Sequence, residues 1–292
     1  MTIRASVIIP TYADWAGLAR CLHALEAQSL PQAEFEIVVG NNNPDAQAPD
    51  GFVLPANCKL VSQSKPGSYA ARNMAVAASS GSALFFTDSD CIPHRDWVAR
   101  GLEILAQQPE VQRLGGVVEI FPANARWTTA ERYDQIFHLR QKEYVQRGYA
   151  ATANLIVSRE AFEEAGPFNE GLLSSGDKEW NLRADRLGLR IKLATDALVR
   201  HPARDSFHAL AKKRARVAQG RARMKQRGLL RRSFRLINYL LPSTWRARRI
   251  FAATDAPLLQ RLGLVGFDYG LRLSECWTEM QDIMKPNKTL RR

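Results

Sequence analysis

The sequence predicts an α/β protein built on a mainly parallel sheet with helices on both faces, followed by a basic helical region. Three observations carry that expectation. Short apolar runs alternate with amphipathic stretches in a β-α-β-α-β series over the first third of the chain. The first three of these runs are followed by stretches containing Pro, Gly or Asn. At Arg204 the charge changes character, and bases crowd the helical patterns that follow.

Ser6–Pro10 reads as a first buried strand, stopped by Pro10. Trp15–Gln28 follows as a helix with Asp14 as N-cap and Leu18, Cys21, Leu22 and Leu25 on one face. Phe35–Val39 is a second strand ending in Gly40-Asn41-Asn42-Asn43-Pro44, and Lys59–Ser62 a third. Lys65-Pro66-Gly67-Ser68 opens a helix over Tyr69–Ala78, and Ala83–Thr87 is a fourth strand. Further along, Asp96–Gln107 and Thr128–Arg147 read as helices, and Arg113–Phe121 and Ala153–Ser158 as strands. Arg159–Ala165 is a short helix closed by Gly166-Pro167, and Ser174-Ser175-Gly176-Asp177 leads into another helix that runs to Leu187. Arg190–Ala194 and Ala197–His201 read as two last short strands.

A chain of 292 residues with 46% hydrophobic content has room for one large α/β domain with an appendage. The expected boundary puts one domain at 1–203 and a basic helical region at 204–292. The net charge of +12 sits mostly in that second part: bases recur from Arg204 to Arg249, where the only acid is Asp205. Such a region attracts polyanions. Cys21, Cys58, Cys91 and Cys276 are widely spaced with no C-x-x-C, which argues against a zinc site or disulfide framework and fits a reducing compartment. The N-terminus runs straight into a strand, so no signal peptide is expected, and no apolar stretch is long enough for a spanning helix.

Thr87-Asp88-Ser89-Asp90-Cys91 places two carboxylates one residue apart at the tip of the fourth strand. Open α/β sheets bind ligands at that edge. Oxygen ligands so close suit Mg²⁺ or Mn²⁺, which complete their shells with substrate phosphates. Asp-Ser-Asp also suits an ordinary turn. Pro10-Thr11-Tyr12 and Asn41-Asn42 end neighbouring strands, so the three tips border one cleft. The glycine-led helix start at Gly67 can favour phosphate, with Arg72 adding a fork of donors. The plainer reading is a simple cap with a solvated Arg72.

Ser6–Tyr12, Gly67–Asn73 and Phe86–Asp90 together resemble the GT-A glycosyltransferases of family 2. The likeness continues through Ala153–Ile156, Phe162–Asn169, Gly176–Trp180 and Val199–His201 and covers about residues 4–203. It implies a GT-A, Rossmann-like fold and inverting transfer of a sugar from a nucleoside-diphosphate sugar, a UDP-sugar first and a GDP- or dTDP-sugar as alternatives. Pro10, Thr11 and Tyr12 match the positions that hold base and ribose. Asn41 and Asn42 stand where the family often has Asp; an amide both donates and accepts, so it can still pair a pyrimidine edge. Lys65, Arg72 and Asp88 fall on the donor side. Asp90 is the expected metal ligand. His201 matches a histidine that in many relatives is a metal ligand or phosphate contact, and a turn residue is its other reading.

Asp177 matches the family's general base, although Ser174-x-x-Asp177 is also a capping-box spacing. Glu179 and Trp180 fall on the acceptor side. Their plainer roles are an i,i+4 pair of Glu179 with Arg183 and core packing of Trp180. His94 and His138 carry no supporting pattern. In the basic region, Phe234, Leu236, Ile237, Tyr239, Leu240, Leu241 and Trp245 lie between Arg231-Arg232 and Arg246-Arg248-Arg249. Apolar anchors flanked by bases suit an anionic membrane surface, and a solvated cationic helix is the alternative. The expected protein is therefore cytoplasmic and peripheral at the inner face of the membrane, with a glycan or lipid-linked acceptor and no nucleic-acid partner. Two competing classes remain: a polyanion- or nucleic-acid-binding protein with a degenerate GT-A domain, and a nucleotidyltransferase. The latter wants a Gly- and Arg-rich loop after the first strand, where this chain has Pro10-Thr11-Tyr12-Ala13-Asp14.

Overall fold

The computed structural model describes residues 2–43, 45, 47–224, 238–253 and 256–284. Its early apolar runs form strands β1 (Ala5–Thr11), β2 (Phe35–Asn41), β3 (Cys58–Ser62) and β4 (Ala83–Phe86). β1 is parallel to β2 and to β4, and β2 is parallel to β3. Thr11 pairs with Asn41, so the first two strand tips are side by side, and Phe86 pairs with Ile8 on the other flank. Val7, Ile8 and Ile9 are fully buried, as a strand covered on both faces requires.

The later strands are β5 (Ile92–Pro93), β6 (Arg113–Phe121), β7 (Leu155–Ser158) and β8 (Ile191–Pro202). They complete an eight-stranded sheet of order β3-β2-β1-β4-β7-β6-β8-β5. β7 runs antiparallel to both β4 and β6, and β5 antiparallel to β8. The sheet is thus mixed, with its parallel half at the N-terminal strands. Around it lie α1 (Trp15–Glu26), α2 (Ser68–Ala77) and α3 (Trp97–Gln107). The stripe Leu18, Cys21, Leu22 and Leu25 of α1 is buried, each leucine contributing roughly 1.5–3 kcal/mol. Asp14 caps this helix as expected, its Oδ1 accepting from the Gly17 N–H at 3.0 Å.

Two expectations are corrected. The helix over 128–147 is two helices, α4 (Thr129–Phe137) and α5 (Gln141–Val145), broken at Leu139, whose φ is +44°. The Thr128/Glu131 capping box starts α4. Beyond the break the buried Gln141 amide donates to the Ala151 and Asn154 carbonyls and draws α5 towards that loop. The two short strands after Arg190 are one continuous strand, β8. The pairing strand β5 has no counterpart in the sequence reading, because two residues leave no periodicity to read.

Contacts divide the chain into two compact units, Met1–Ile120 with Leu139–Pro202, and Phe121–His138 with Ala203–Arg292. In the first, buried Asn154 acts as a clamp. Its Nδ2 donates to Val117 of β6 and Ala197 of β8, both at 2.8 Å, and its Oδ1 accepts from Trp97 of α3 at 2.9 Å. The remaining helices of this unit are α6 (Arg159–Ala165) and α7 (Gly176–Arg186).

The second unit contains α4, α8 (Phe207–Met224), α9 (Thr244–Ala253) and α10 (Leu258–Met284). Tyr133, Ile136, Leu210, Ile250, Leu264 and Leu271 form its core. Several of its bases are spent inside it. Tyr133 donates to Asp268, which also accepts from Arg246 at 2.6 Å, and Arg214 grips Glu275 at 2.5 and 3.0 Å. Arg204 pairs with buried Asp134, and burial leaves His138 beside it with a pKa well below the usual imidazole value. Phe234, Leu236, Ile237, Arg231 and Arg232 lie outside the described residues. Among the described residues no helix is long and apolar enough to cross a membrane.

Candidate active site

β4 ends at Phe86, and the chain turns through Asp88 and Asp90 before β5 begins. β5 pairs Ile92 with Arg200 and Pro93 with Val199. That register carries His201 back beside the carboxylates, with Nε2 3.7 Å from Asp90 Oδ1. The His201 ring is buried, and its Nδ1 lies 2.7 Å from the Pro202 carbonyl. A carbonyl can only accept, so Nδ1 carries a proton, and Nε2 is the ring nitrogen turned towards Asp90. Fixing the far nitrogen to a carbonyl is how proteins orient a ligating histidine.

Candidate ligand atoms of Asp88, Asp90, Cys91 and His201 all lie within 4.8 Å of one another. The cysteine does not belong to a hard-ion site: burial, reinforced by the two aspartates, pushes its thiol pKa well up, so it stays protonated. Two partly exposed carboxylates and one imidazole remain. That donor set fits Mn²⁺ or Mg²⁺ better than a softer metal, and it leaves room for oxygens from a substrate.

The donor-side expectations resolve into different roles. Arg72 is not solvated: it is 3% exposed, with Nη2 2.5 Å from Asp88 Oδ1. Its Nε, like Thr11 Oγ1, is a buried polar atom without a hydrogen-bond partner among the described residues. Buried orphans of this kind, one on α2 and one at the tip of β1, are satisfied when a polar ligand arrives. Asn42 is fully engaged within the fold. Its Nδ2 donates to the Gln63 and Lys65 carbonyls at 3.1 and 2.7 Å, and its Oδ1 accepts from Gly67 N–H at 2.6 Å. Asn42 thus braces the loop, and the Gly67 N–H is one of the groups it holds. Gly67 has φ of +122°, which only glycine adopts without strain. Asn41 Oδ1 accepts from Asn43 N–H, Pro10 is buried in β1, and Tyr12 is 69% exposed at the strand tip. Lys65 is held by Glu170 at 2.5 Å, and Glu170 also accepts from Asn73.

α7 starts at Gly176 after Ser175, which adopts the left-handed conformation and makes no side-chain cap. Asp177 therefore sits inside the first turn and is not the cap. Its Oδ1 accepts from the Lys178 N–H at 2.8 Å and from the Tyr69 hydroxyl at 3.3 Å. The carboxylate is half-buried. Desolvation raises its pKa above the usual aspartate value, against the opposing pull of Lys178 N–H, Arg72 and Tyr69. A carboxylate tuned upwards is a better proton acceptor.

Glu179 pairs with Arg183 at 3.3 Å, and Arg183 in turn donates to the Ala165 and Pro167 carbonyls. This is the i,i+4 role. Trp180 is fully buried, stacked on Phe162 at 5.5 Å, with Nε1 bound to the Gly166 carbonyl at 2.7 Å. The acceptor-side expectation for Trp180 is corrected: a side chain with no exposed surface cannot touch an acceptor. The sequence reading missed Tyr69 and Glu170 as site neighbours, since each meets its partner only across the fold.

A family model described as "Glycosyl transferase family 2" matches residues 6–166. The glycosyltransferase AglE of Haloferax volcanii is 37% identical over 249 residues, covering 81% of this chain and 79% of that protein. Among solved structures, the mannosyltransferase PcManGT from Pyrobaculum calidifontis in complex with GDP-Man and Mn²⁺ superposes with a TM-score of 0.57 at 20% identity, over 97% of this chain and 85% of that one. TarS 1-349 of S. aureus in complex with UDP-GlcNAc gives 0.52 at 16% identity, over 96% and 92%. These two show the fold, and the sequence matches show the kinship: the chain belongs to glycosyl transferase family 2.

Proposed function

We propose that this glycosyltransferase is an inverting, metal-dependent enzyme that moves a sugar from a nucleoside-diphosphate sugar to a hydroxyl of a saccharide or lipid-linked saccharide. One observation carries the reading. The first turns of α2 hold both groups: Arg72 grips Asp88 of the carboxylate pair, and Tyr69 bonds Asp177. Asp177, poised as a base, takes the acceptor's hydroxyl proton while that oxygen attacks the anomeric carbon. The nucleoside diphosphate leaves from the opposite face, so the configuration inverts. Asp90 and His201, supported by Asp88, hold the divalent cation, which when bound neutralises charge on the departing diphosphate. Pro10, Thr11, Tyr12 and Asn41 border the base and ribose, and the Lys65–Gly67 loop closes that side. GDP-Man and UDP-GlcNAc in the two neighbours support a nucleotide-sugar donor, with a UDP-sugar the first to test.

A thermal-shift screen tests the reading, using UDP, GDP, dTDP and their sugars, each with and without Mn²⁺. A nucleotide at a hundredfold excess over its Kd adds roughly 2.7 kcal/mol, a rise of about 5–10 °C. One nucleotide should give that rise with Mn²⁺ and little of it with EDTA. No metal-dependent rise with any of them would overturn the proposal.

The same proposal places the enzyme at the cytoplasmic face of an anionic membrane. In the second unit, Leu240, Leu241, Trp245, Leu258, Leu259 and Leu262 are all more than half exposed. Between residues 240 and 262 the bases Arg246, Arg248, Arg249 and Arg261 face Asp255 alone. Apolar anchors with surplus positive charge match an anionic bilayer. Sedimentation with phosphatidylglycerol vesicles should pellet the protein, and phosphatidylcholine vesicles should pellet much less. Replacing Leu258, Leu259 and Leu262 with Ser should remove about 3 kcal/mol, roughly a hundredfold in affinity. Equal binding by that variant would rule out this face.

A further inference from the structure

We infer that Tyr69 is a positioning residue for the reaction, holding the Asp177 carboxylate in place and joining it to the Arg72–Asp88 pair on the donor side. The inference rests on the reading of Asp177 as the base and deepens it. Tyr69 is 5% exposed, yet its hydroxyl is not spent on a backbone carbonyl. It donates to Asp177 Oδ1, 108 positions away in sequence, at 3.3 Å. The ring has two close neighbours. The Arg72 guanidinium lies 5.7 Å from its centroid, and Phe168 packs against it at 5.6 Å.

The start of α7 is shaped around that ring. A Cβ on Gly176 would lie 2.6 Å from Tyr69 Cε2, closer than any side chain can approach. Glycine immediately before the base therefore leaves the space the tyrosine fills. Burial, and then the Asp177 charge, push the Tyr69 pKa far up, so the hydroxyl remains a donor throughout the working range.

Because Tyr69 and Arg72 stand one turn apart on α2, one rigid element sets the base against the metal-side carboxylates. A shift of α2 would move both. The charged and titratable groups near Asp177 are Tyr69 and Arg72 from α2, Asp88 from the strand tip, Tyr144 from α5 and Lys178 on α7 itself. Of these, Tyr69 is the side chain that bonds the carboxylate directly.

The test is a ¹³C-carboxyl-aspartate NMR titration, with the Asp177 signal assigned by its loss in Asp177→Asn. Tyr69→Phe keeps the ring packing and removes the donor, so the Asp177 midpoint should move to higher pH. Gly176→Ala keeps the hydroxyl but displaces the ring, and should move the midpoint the same way. The acidic limb of Mn²⁺-dependent hydrolysis of UDP-GlcNAc or GDP-mannose should follow, with a rate loss of up to roughly 10²-fold. A merely structural tyrosine would leave the midpoint where it was. An unmoved midpoint in both variants overturns the role of Tyr69 even if Asp177→Asn is inactive. Full hydrolysis by Asp177→Asn overturns the base assignment instead.

Discussion

Asp177→Asn is expected to abolish sugar transfer while leaving the fold and nucleotide binding intact. Loss of a general base costs typically about 10²–10⁴-fold, and the amide keeps the size and most of the hydrogen bonding of the carboxylate. The same substitution should raise thermal stability near neutral pH. The sign follows from burial. The folded-state pKa of Asp177 is raised above its unfolded value. Its contribution is therefore most favourable below the unfolded pKa and is lost as pH rises through the folded one. At pH 7 the carboxylate is a charge held in a partly desolvated site, and a neutral amide removes that penalty. Differential scanning calorimetry at pH 7 and near pH 3 separates the cases: Asn should be more stable at the higher pH and gain nothing at the lower. A variant with full transfer activity would end the assignment. Stability given up for chemistry in this way is common at active sites.

Asp90→Ala is expected to be equally inactive, for a different reason. It removes the carboxylate 3.7 Å from His201 Nε2, leaving Asp88, which Arg72 already engages, and one imidazole. Nucleotide binding should then lose its dependence on Mn²⁺, and transfer should fall by at least about 10³-fold, the scale of several kcal/mol of charge stabilisation. Manganese titration followed by electron paramagnetic resonance gives the direct readout: free Mn²⁺ should persist in the variant under conditions where the parent protein binds it. Parent-like Mn²⁺ binding would remove Asp90 from the ligand set. Asp177→Asn should retain Mn²⁺ binding, so the two variants fail in distinguishable ways.

Much of the first unit was legible because it is locally encoded. β1, α1 with its Asp14 cap, β2, α2 and β6 fall where periodicity and punctuation put them. Asp88, Asp90 and the neighbouring strand tips meet because parallel strands bring their C-terminal ends to one edge, a rule of topology rather than of any single residue. What escaped is what local pattern does not encode. β5 is two residues long, yet it carries the register that brings His201 to Asp90. Tyr69 looked like an ordinary first-turn helix residue, and its partner lies on α7. Asn42 had the chemistry for a base edge, but its bonds to three backbone groups of the Gln63–Gly67 loop carry no local signal. Arg72 and Trp180 were read at their donor and acceptor faces. The structure shows Arg72 buried against Asp88 and Trp180 in the aromatic core, neither of which local pattern encodes.

The break at Leu139 has a consequence for how the polypeptide comes off the ribosome. α4 is translated well before its partners: Tyr133 and Ile136 share a core with Leu264 and Leu271 of α10. During synthesis this amphipathic segment must wait, its sticky face uncovered, until α10 has emerged. The helical unit is therefore not a detachable tail. A nascent chain or a proteolytic fragment ending near residue 203 would carry an orphaned hydrophobic face, a natural target for chaperones and quality-control proteases.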